Sequence, residues 1–242
     1  MDVIILAGGL GTRLRSVINT LPKPMAPVAD RPFLEYLLDY LISQKITNKF
    51  LVSVGYEYQK IIDHFGDNYK EYELNYLIED TPLGTGGALR LALNKIETEQ
   101  ALIVNGDTLF NVNLSALINL HNQKKSLITL ALKPLTDFER YNNVLLDDDQ
   151  KIIGFESKKY QHKGYINGGI YCVGKNILYS FDLPSKFSFE DDFLKVHTEK
   201  VPMYGFISDE YFIDIGIPQD YEKSQIELPE LFNSRNQVQH RD

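Results

Sequence analysis

The chain has 242 residues, 43% hydrophobic and 24% charged, which is an ordinary globular balance and enough length to bury a sizeable core without covalent staples. Acidic residues outnumber basic ones 33 to 25, and the net charge of −8 argues against nucleic acid or an acidic membrane as a partner of the whole protein, while leaving room for a local small-anion site. The single cysteine, Cys172, excludes an internal disulfide framework and multi-cysteine metal sites and accords with a cytoplasmic setting; neither a signal-peptide pattern nor a run near the ~20 apolar residues of a membrane span is present.

The first predicted element is a buried strand, Val3 to Ala7, whose continuous apolar run suits an inner parallel strand covered on both faces. A glycine- and proline-rich stretch follows, from Gly8 to Pro27. Pro32 to Leu41 reads as a helix, with Pro32 in its first turn and Phe33, Leu37, Leu38 and Leu41 on one face. Phe50 to Val54 is a second strand, Glu57 to Phe65 a helix stopped at Gly66, and Leu74 to Ile78 a third strand. Ala88 to Lys95 is helical and Ala101 to Val104 is another buried strand. This β-α alternation over the first ~110 residues predicts a layered α/β fold with a mainly parallel sheet. Ligands of such sheets bind beyond the carboxyl ends of the strands, where Gly8-Gly9 and Gly106-Asp107 are expected to meet.

The second half is more mixed. Leu114 to Lys124 looks helical; Leu127 to Leu132, Val144 to Leu146, Lys151 to Phe155, Ile170 to Val173 and Tyr211 to Ile213 look like strands; Pro218 to Gln225 is a last helix. No low-complexity linker or internal repeat divides the chain. The residues from Pro229 onward are polar and weakly patterned, and are expected to form a loose tail, 229–242. His64, His121, His162 and His197 lack metal-ligand spacing and read as surface or helix-end residues. Asp147-Asp148-Asp149 reads as a solvated turn and Cys172 as a core residue.

Leu6-Ala7-Gly8-Gly9-Leu10-Gly11-Thr12-Arg13-Leu14, with Pro22-Lys23-Pro24 after it, is the most informative segment. Successive glycines let backbone N–H groups approach a phosphate chain closely; Thr12 adds a hydroxyl, and Arg13 and Lys23 add positive charge. Gly11-Thr12-Arg13 is not the Gly-Lys-Ser/Thr of a Walker loop. Leu14 stands where a dinucleotide fingerprint needs its third glycine, so nicotinamide chemistry has little support.

These residues resemble the signature of the sugar-1-phosphate nucleotidyltransferases, and the resemblance extends over roughly 1–226. It implies a Rossmann-like three-layer sandwich of the nucleotide-diphospho-sugar transferase type with a mixed, mainly parallel central sheet. It also implies a single domain, 1–228, with a nucleotide-binding lobe (1–110) and a sugar-binding lobe (111–228). The implied reaction joins a nucleoside triphosphate to a sugar 1-phosphate with release of pyrophosphate, with Mg²⁺ as cofactor and no nucleic acid or membrane partner; homo-oligomerisation is left open. By the same resemblance Leu6, Ala7, Gly8, Gly9, Gly11, Thr12, Arg13 and Lys23 wrap the nucleotide phosphates. Pro82, Gly84 and Thr85, in a second glycine-rich loop, lie near the base, as does Gly106 near the phosphates. Glu79 or Asp80, just before that loop, is placed to accept from a guanine edge, and Glu79 is the favoured choice. Arg13, Lys23 and Asp107 are the implied catalytic residues, and Asp107 and Asp214 the metal ligands.

Asn142, Glu156, Lys158, Asn167, Gly168 and Glu190 are the implied sugar-phosphate residues. Ser157 replaces a glutamate usual in the Phe-x-Glu-Lys segment, with Glu156 as its candidate substitute, and Asn142 stands where glycine is common. Within the family, Leu83 to Ala88, Lys186 to Glu190 and Tyr211 to Gly216 resemble the branch that guanylylates D-glycero-α-D-manno-heptose 1-phosphate, which implies GTP as donor. Other nucleotide and sugar pairs stay open, as do a glycosyltransferase and a non-catalytic nucleotide-binding module. Arg13 and Lys23 argue against the first, and the two metal carboxylates against the second.

Overall fold

A computed structural model describes residues 1–9, 11, 14, 17, 18 and 20–239, with the backbone alone for 235–239. The chain begins with β1 (Asp2–Leu6), a 3-10 turn (Lys23–Met25), and a small ribbon of β2 (Pro27–Val28) and β3 (Arg31–Pro32). Then come α1 (Phe33–Ser43), β4 (Lys49–Val54), α2 (Tyr58–Phe65), β5 (Asn68–Tyr69), β6 (Tyr72–Ile78), α3 (Gly84–Leu93) and β7 (Gln100–Asn105). β8 (Thr108–Phe110), α4 (Leu114–Gln123), β9 (Ile128–Phe138), β10 (Asn143–Leu146), β11 (Ile152–Glu156) and β12 (Gln161–Gly174) follow. A π-helix (Phe189–Leu194) continues into α5 (Lys195–His197), and β13 (Met203–Ile207), β14 (Phe212–Asp214) and α6 (Pro218–Gln239) complete the chain.

Eight strands form one sheet in the order β13-β9-β12-β7-β1-β4-β6-β5. β1 runs parallel to β4 and β7, β4 to β6, and β9 to β13, whereas β12 is antiparallel to both β7 and β9. The apolar run of β1 is explained by burial on both faces. Val3 and Ile5 join one core with α1, α4 and Leu228 of α6, and Ile4 joins a second with α3 and the π-helix. β7 divides the same way, Leu102 and Val104 against Ala101 and Ile103. The expected Rossmann-like three-layer α/β arrangement with a mixed, mostly parallel sheet is therefore the one the chain adopts. β1, β4, β6 and β7 all end at one edge, where Gly106 N–H donates to Leu6 O at 2.9 Å and brings Gly8-Gly9 beside Asp107. No described helix is long and apolar enough to cross a membrane.

Several elements differ from the sequence reading. The helix expected from Ala88 starts at Gly84, because the glycines form its first turn rather than a free loop. The strand expected at Ile170 to Val173 is the last part of a fourteen-residue strand. From Pro229 the described chain is helical: α6 runs on to Gln239, and Leu231 and Phe232 pack against the core beside Leu228, with Phe232 edge-on to Tyr36 at 5.3 Å, while 240–242 lie outside the described residues. Burial of these side chains outweighs the hydrogen bond that a proline costs a helix.

His121 stands in the last turn of its helix, as a helix-end residue does, but it is buried. It is 4% exposed on α4, and its Nδ1 lies 3.0 Å from Thr129 Oγ1. Burial disfavours the imidazolium and lowers the pKa from the ordinary 6.5 to about 4. Between those values the unfolded chain binds the proton and the folded chain does not, so stability falls as pH drops through that window and levels off below it. The displacement corresponds to about 3 kcal/mol. Urea unfolding at pH 7 and pH 4.5 should show a smaller loss in His121→Gln than in the parent; equal losses would remove His121 as the source.

Candidate active site

Two cavities open at the carboxyl edge of the sheet and share Asn105 and Asp107 as a common wall. The first, of about 370 Å³, is lined by Leu6, Ala7, Gly8, Gly9, Gly11, Lys23, Glu79, Pro82, Gly84 and Thr85, all expected on the nucleotide side. Thr12 and Arg13 lie outside the described residues. Gly106 stands behind the wall rather than in it: a Cβ there would come within 2.9 Å of Leu6 O, so glycine is needed for the strands to close up. A Cβ at Gly8 would sit 2.4 Å from Glu79 Oε1, the movable end of a side chain, and 3.3 Å from Gly55 N, so it would displace the Glu79 carboxylate before the backbone. Of the two acids before the second glycine segment, Glu79 faces this cavity and Asp80 does not. Glu79 accepts from Leu83 N–H at 3.2 Å and Ser53 Oγ–H at 3.3 Å; burial nevertheless raises its pKa. Lys186, which the sequence places in a family-like segment without a site role, also lines this cavity.

The second cavity, of about 500 Å³, is lined by Asn142, Lys158, Asn167 and Glu190 of the expected sugar-side residues. Glu156 is not among them. Its carboxylate accepts from Asn143 Nδ2 at 2.9 Å, Gln161 Nε2 at 2.8 Å and Lys159 Nζ at 3.0 Å, so it ties the β10–β11 hairpin to β12 instead of substituting for a sugar contact. Gly168 is not in the wall either. A Cβ there would sit 2.2 Å from Phe110 Cδ1, and the residue serves close packing under the cavity. The strand β12 changes register between Asn167 and Tyr171, and Gly169 takes φ +73° in that bulge, which aims Asn167 inward. Arg140, Asp191 and Lys195 also line this cavity and were not singled out by the sequence.

Two carboxylates meet at the junction. Asp107 follows β7, and Asp214 ends β14, whose pairing sets Asp214 opposite Thr108; Ile215 N–H donates to Asp107 O at 3.1 Å. Lys23 Nζ lies 2.7 Å from Asp107 Oδ2. Asp214 accepts from Gly216 N–H on Oδ1 at 2.8 Å and from Arg140 Nη2 on Oδ2 at 3.3 Å, while Arg140 Nη1 holds Asp220. Burial, and next the charge of Asp107, push the Asp214 carboxyl up; Lys23 and Arg140 work against them. No group of three or more His, Cys, Asp or Glu side chains comes together among the described residues. A pair of oxygen donors whose mutual repulsion a cation would relieve fits Mg²⁺, which binds through one or two carboxylates and completes its shell with phosphate oxygens and water.

The remaining side chains behave mostly as expected. His64 pairs with Glu35 at 2.8 Å and His162 with Asp137 at 3.0 Å, both at the surface. Asp147 turns the β10–β11 connection by accepting from the N–H groups of Asp149 and Lys151. Cys172 is fully buried, which pushes its thiol up to about 12.

Against this geometry the comparisons with known proteins agree. The family model for nucleotidyl transferases matches residues 2–230. The chain is 50% identical over 228 residues to the D-glycero-alpha-D-manno-heptose 1-phosphate guanylyltransferase of Aneurinibacillus thermoaerophilus, covering 94% of this chain and 98% of that one. It is 46% identical over 221 residues to the Campylobacter jejuni protein of the same name, covering 91% and 97%. Among solved structures, HddC from Yersinia pseudotuberculosis complexed with GMP-PN matches with a TM-score of 0.82 and 37% identity, over 93% of this chain and 97% of that one.

Proposed function

The chain belongs to the nucleotidyl transferase family, and we propose that it transfers a guanylyl group from GTP to D-glycero-α-D-manno-heptose 1-phosphate, giving the nucleotide sugar and pyrophosphate. The observation that carries the reaction type is Asp107 in the wall shared by two cavities, with Asp214 beside it on the sugar side and Lys23 on the nucleotide side. The choice of GTP and heptose rests on the names of the two curated relatives and on the GMP-PN complex of HddC.

In this reading the nucleotide lies along Gly8, Gly9, Gly11 and Thr85, with Glu79 accepting from the donor groups of the guanine edge. The sugar 1-phosphate occupies the second cavity, held by Asn142, Asn167 and the Lys158 ammonium. A phosphate oxygen of the sugar attacks the α-phosphorus in line, the bond to the β-phosphate oxygen breaks, and pyrophosphate leaves. No covalent enzyme intermediate is needed, so the protein contributes positioning and charge. Lys23 steadies the α-phosphate and holds Asp107 in place. Arg13, by its place in the signature, steadies the departing pyrophosphate. Asp107 and Asp214 would hold Mg²⁺, which supplies charge neutralisation of the triphosphate when bound.

Pyrophosphate release, measured with Mg²⁺ over four nucleoside triphosphates and the heptose, mannose, glucose and N-acetylhexosamine 1-phosphates, tests this reading. Turnover confined to GTP and the heptose phosphate is expected. Turnover with another pair would keep the reaction and replace the substrates. Nucleotide binding without turnover anywhere would favour the non-catalytic module.

A further inference from the structure

The sugar-side cavity holds a carboxyl that the reaction above does not use. Glu190 stands near the start of the π-helix, a wide turn of the kind found at functional sites. Its Oε1 accepts from Asn167 Nδ2 at 2.9 Å and from the Tyr171 hydroxyl at 2.8 Å. The Tyr171 oxygen also accepts from Asn167 Nδ2, at 2.7 Å, and Asn167 Oδ1 accepts from Gly169 N–H at 3.0 Å. A side-chain amide has two hydrogens to donate and two lone pairs to accept with. Nδ2 of Asn167 thus faces two protein acceptors and Oδ1 takes one protein donor, which leaves Oδ1 one lone pair. The opposite amide orientation is closed to it, because it would set a carbonyl against the Glu190 carboxyl and an NH₂ against Gly169 N–H.

Glu190 is itself fixed from two directions. Tyr171, on the sheet, is 1% exposed and meets Phe189 edge-on at 5.3 Å. Phe189 N–H donates to Thr85 Oγ1 at 2.9 Å, while Phe187 donates to Leu83 O at 3.0 Å and accepts from Gly86 N–H at 2.9 Å. The segment carrying Glu190 is therefore stapled to the first turn of the glycine helix.

We propose that Glu190 is a positioning residue for sugar recognition: it locks the orientation of the Asn167 amide, so that the remaining lone pair of Oδ1 reads one sugar hydroxyl as a donor. The proposal rests on the nucleotidyltransferase reading of the site, and deepens it by assigning how the sugar is read.

Glu190→Gln retains a carbonyl that accepts from Asn167 and Tyr171, whereas Glu190→Ala retains nothing. With GTP saturating and the sugar phosphate varied, Glu190→Ala should raise the sugar KM about 10–30-fold, the size of a lost buried hydrogen-bond pair, with the GTP dissociation constant within about twofold. Glu190→Gln should return to within about threefold of the parent, and the double variant Glu190→Ala/Asn167→Ala should be no worse than Asn167→Ala alone. Additive losses in the double variant, or a Gln variant as poor as Ala, would mean that Glu190 contacts the sugar itself and would overturn the positioning role.

The lock also has a readout that needs no turnover. The Asn167 side-chain NH₂ protons in a ¹⁵N correlation spectrum should exchange slowly in the parent and in Glu190→Gln, and fast in Glu190→Ala. Fast exchange in the parent would refute the lock even in an active enzyme. Slow exchange in a protein inactive on every substrate pair would instead place the fault in the reaction assigned. If Glu190→Ala does not fold, Tyr171→Phe, which removes one partner only, should speed exchange of the amide while leaving Glu190 in place; unchanged exchange there would count against the lock.

Discussion

Asp107→Asn should lower kcat for pyrophosphate release about 10³-fold, the upper range for removing one preorganised electrostatic group. Asp107 belongs to both cavities, contacts Lys23 at 2.7 Å, and faces Asp214 closely enough to disturb its ionisation. The amide keeps the shape and one acceptor for Lys23, but removes half of the negative charge that would hold a divalent cation. The fold should not suffer, because the change also relieves repulsion between two neighbouring carboxylates; unfolding free energy should stay within about 1 kcal/mol of the parent. Asp214→Asn should cost a similar factor, and the pair together much less than the product of the two, since both serve one ion. Stopped assays read with urea denaturation would decide it. Near-normal turnover in Asp107→Asn would remove Asp107 from the reaction.

How far such a site could be read from sequence depended on whether each residue's role was local or long-range. The strand before Gly8 shows as a continuous apolar run because β1 is buried on both faces, and Asp107 shows as an acid just past a second such run. Glu156 looked like a sugar ligand because nothing local reveals that the hairpin register sets it opposite Asn143. Arg140 joins Asp214 and Asp220 across more than seventy residues, a contact without any periodic signal. The segment around Lys186 has no helix or strand pattern and takes its place from the glycine helix. The C-terminal helix is different: Leu228, Leu231 and Phe232 carry the i, i+3, i+4 spacing of a buried face, but Pro229 and the polar residues around it concealed that pattern.

Gly84→Ala should be the most damaging single methyl group near the site. Gly84 has φ +69°, a conformation that costs a side chain about 1–2 kcal/mol, and its Cβ would stand 2.5 Å from Phe187 O. That oxygen is backbone and already accepts from Gly86 N–H, so it cannot swing aside as a side chain would. Adding a further 1–3 kcal/mol for overpacking, the total loss of stability should be about 2–5 kcal/mol. Relief would require the segment that bears Lys186 and Glu190 to lift from the helix, and these two residues line different cavities. The folded fraction should therefore show raised KM values for both substrates, where a change confined to one cavity would raise only one. Gly9→Ala supplies the contrast, since among the described residues no atom lies within 4 Å of its Cβ position and its backbone is not left-handed. That variant should unfold like the parent, and any weakening of GTP binding in it would report contact with the nucleotide itself. Equal stability of Gly84→Ala and Gly9→Ala in urea would show that the segment yields readily, and would undo the argument that the glycine helix fixes the wall between the two cavities.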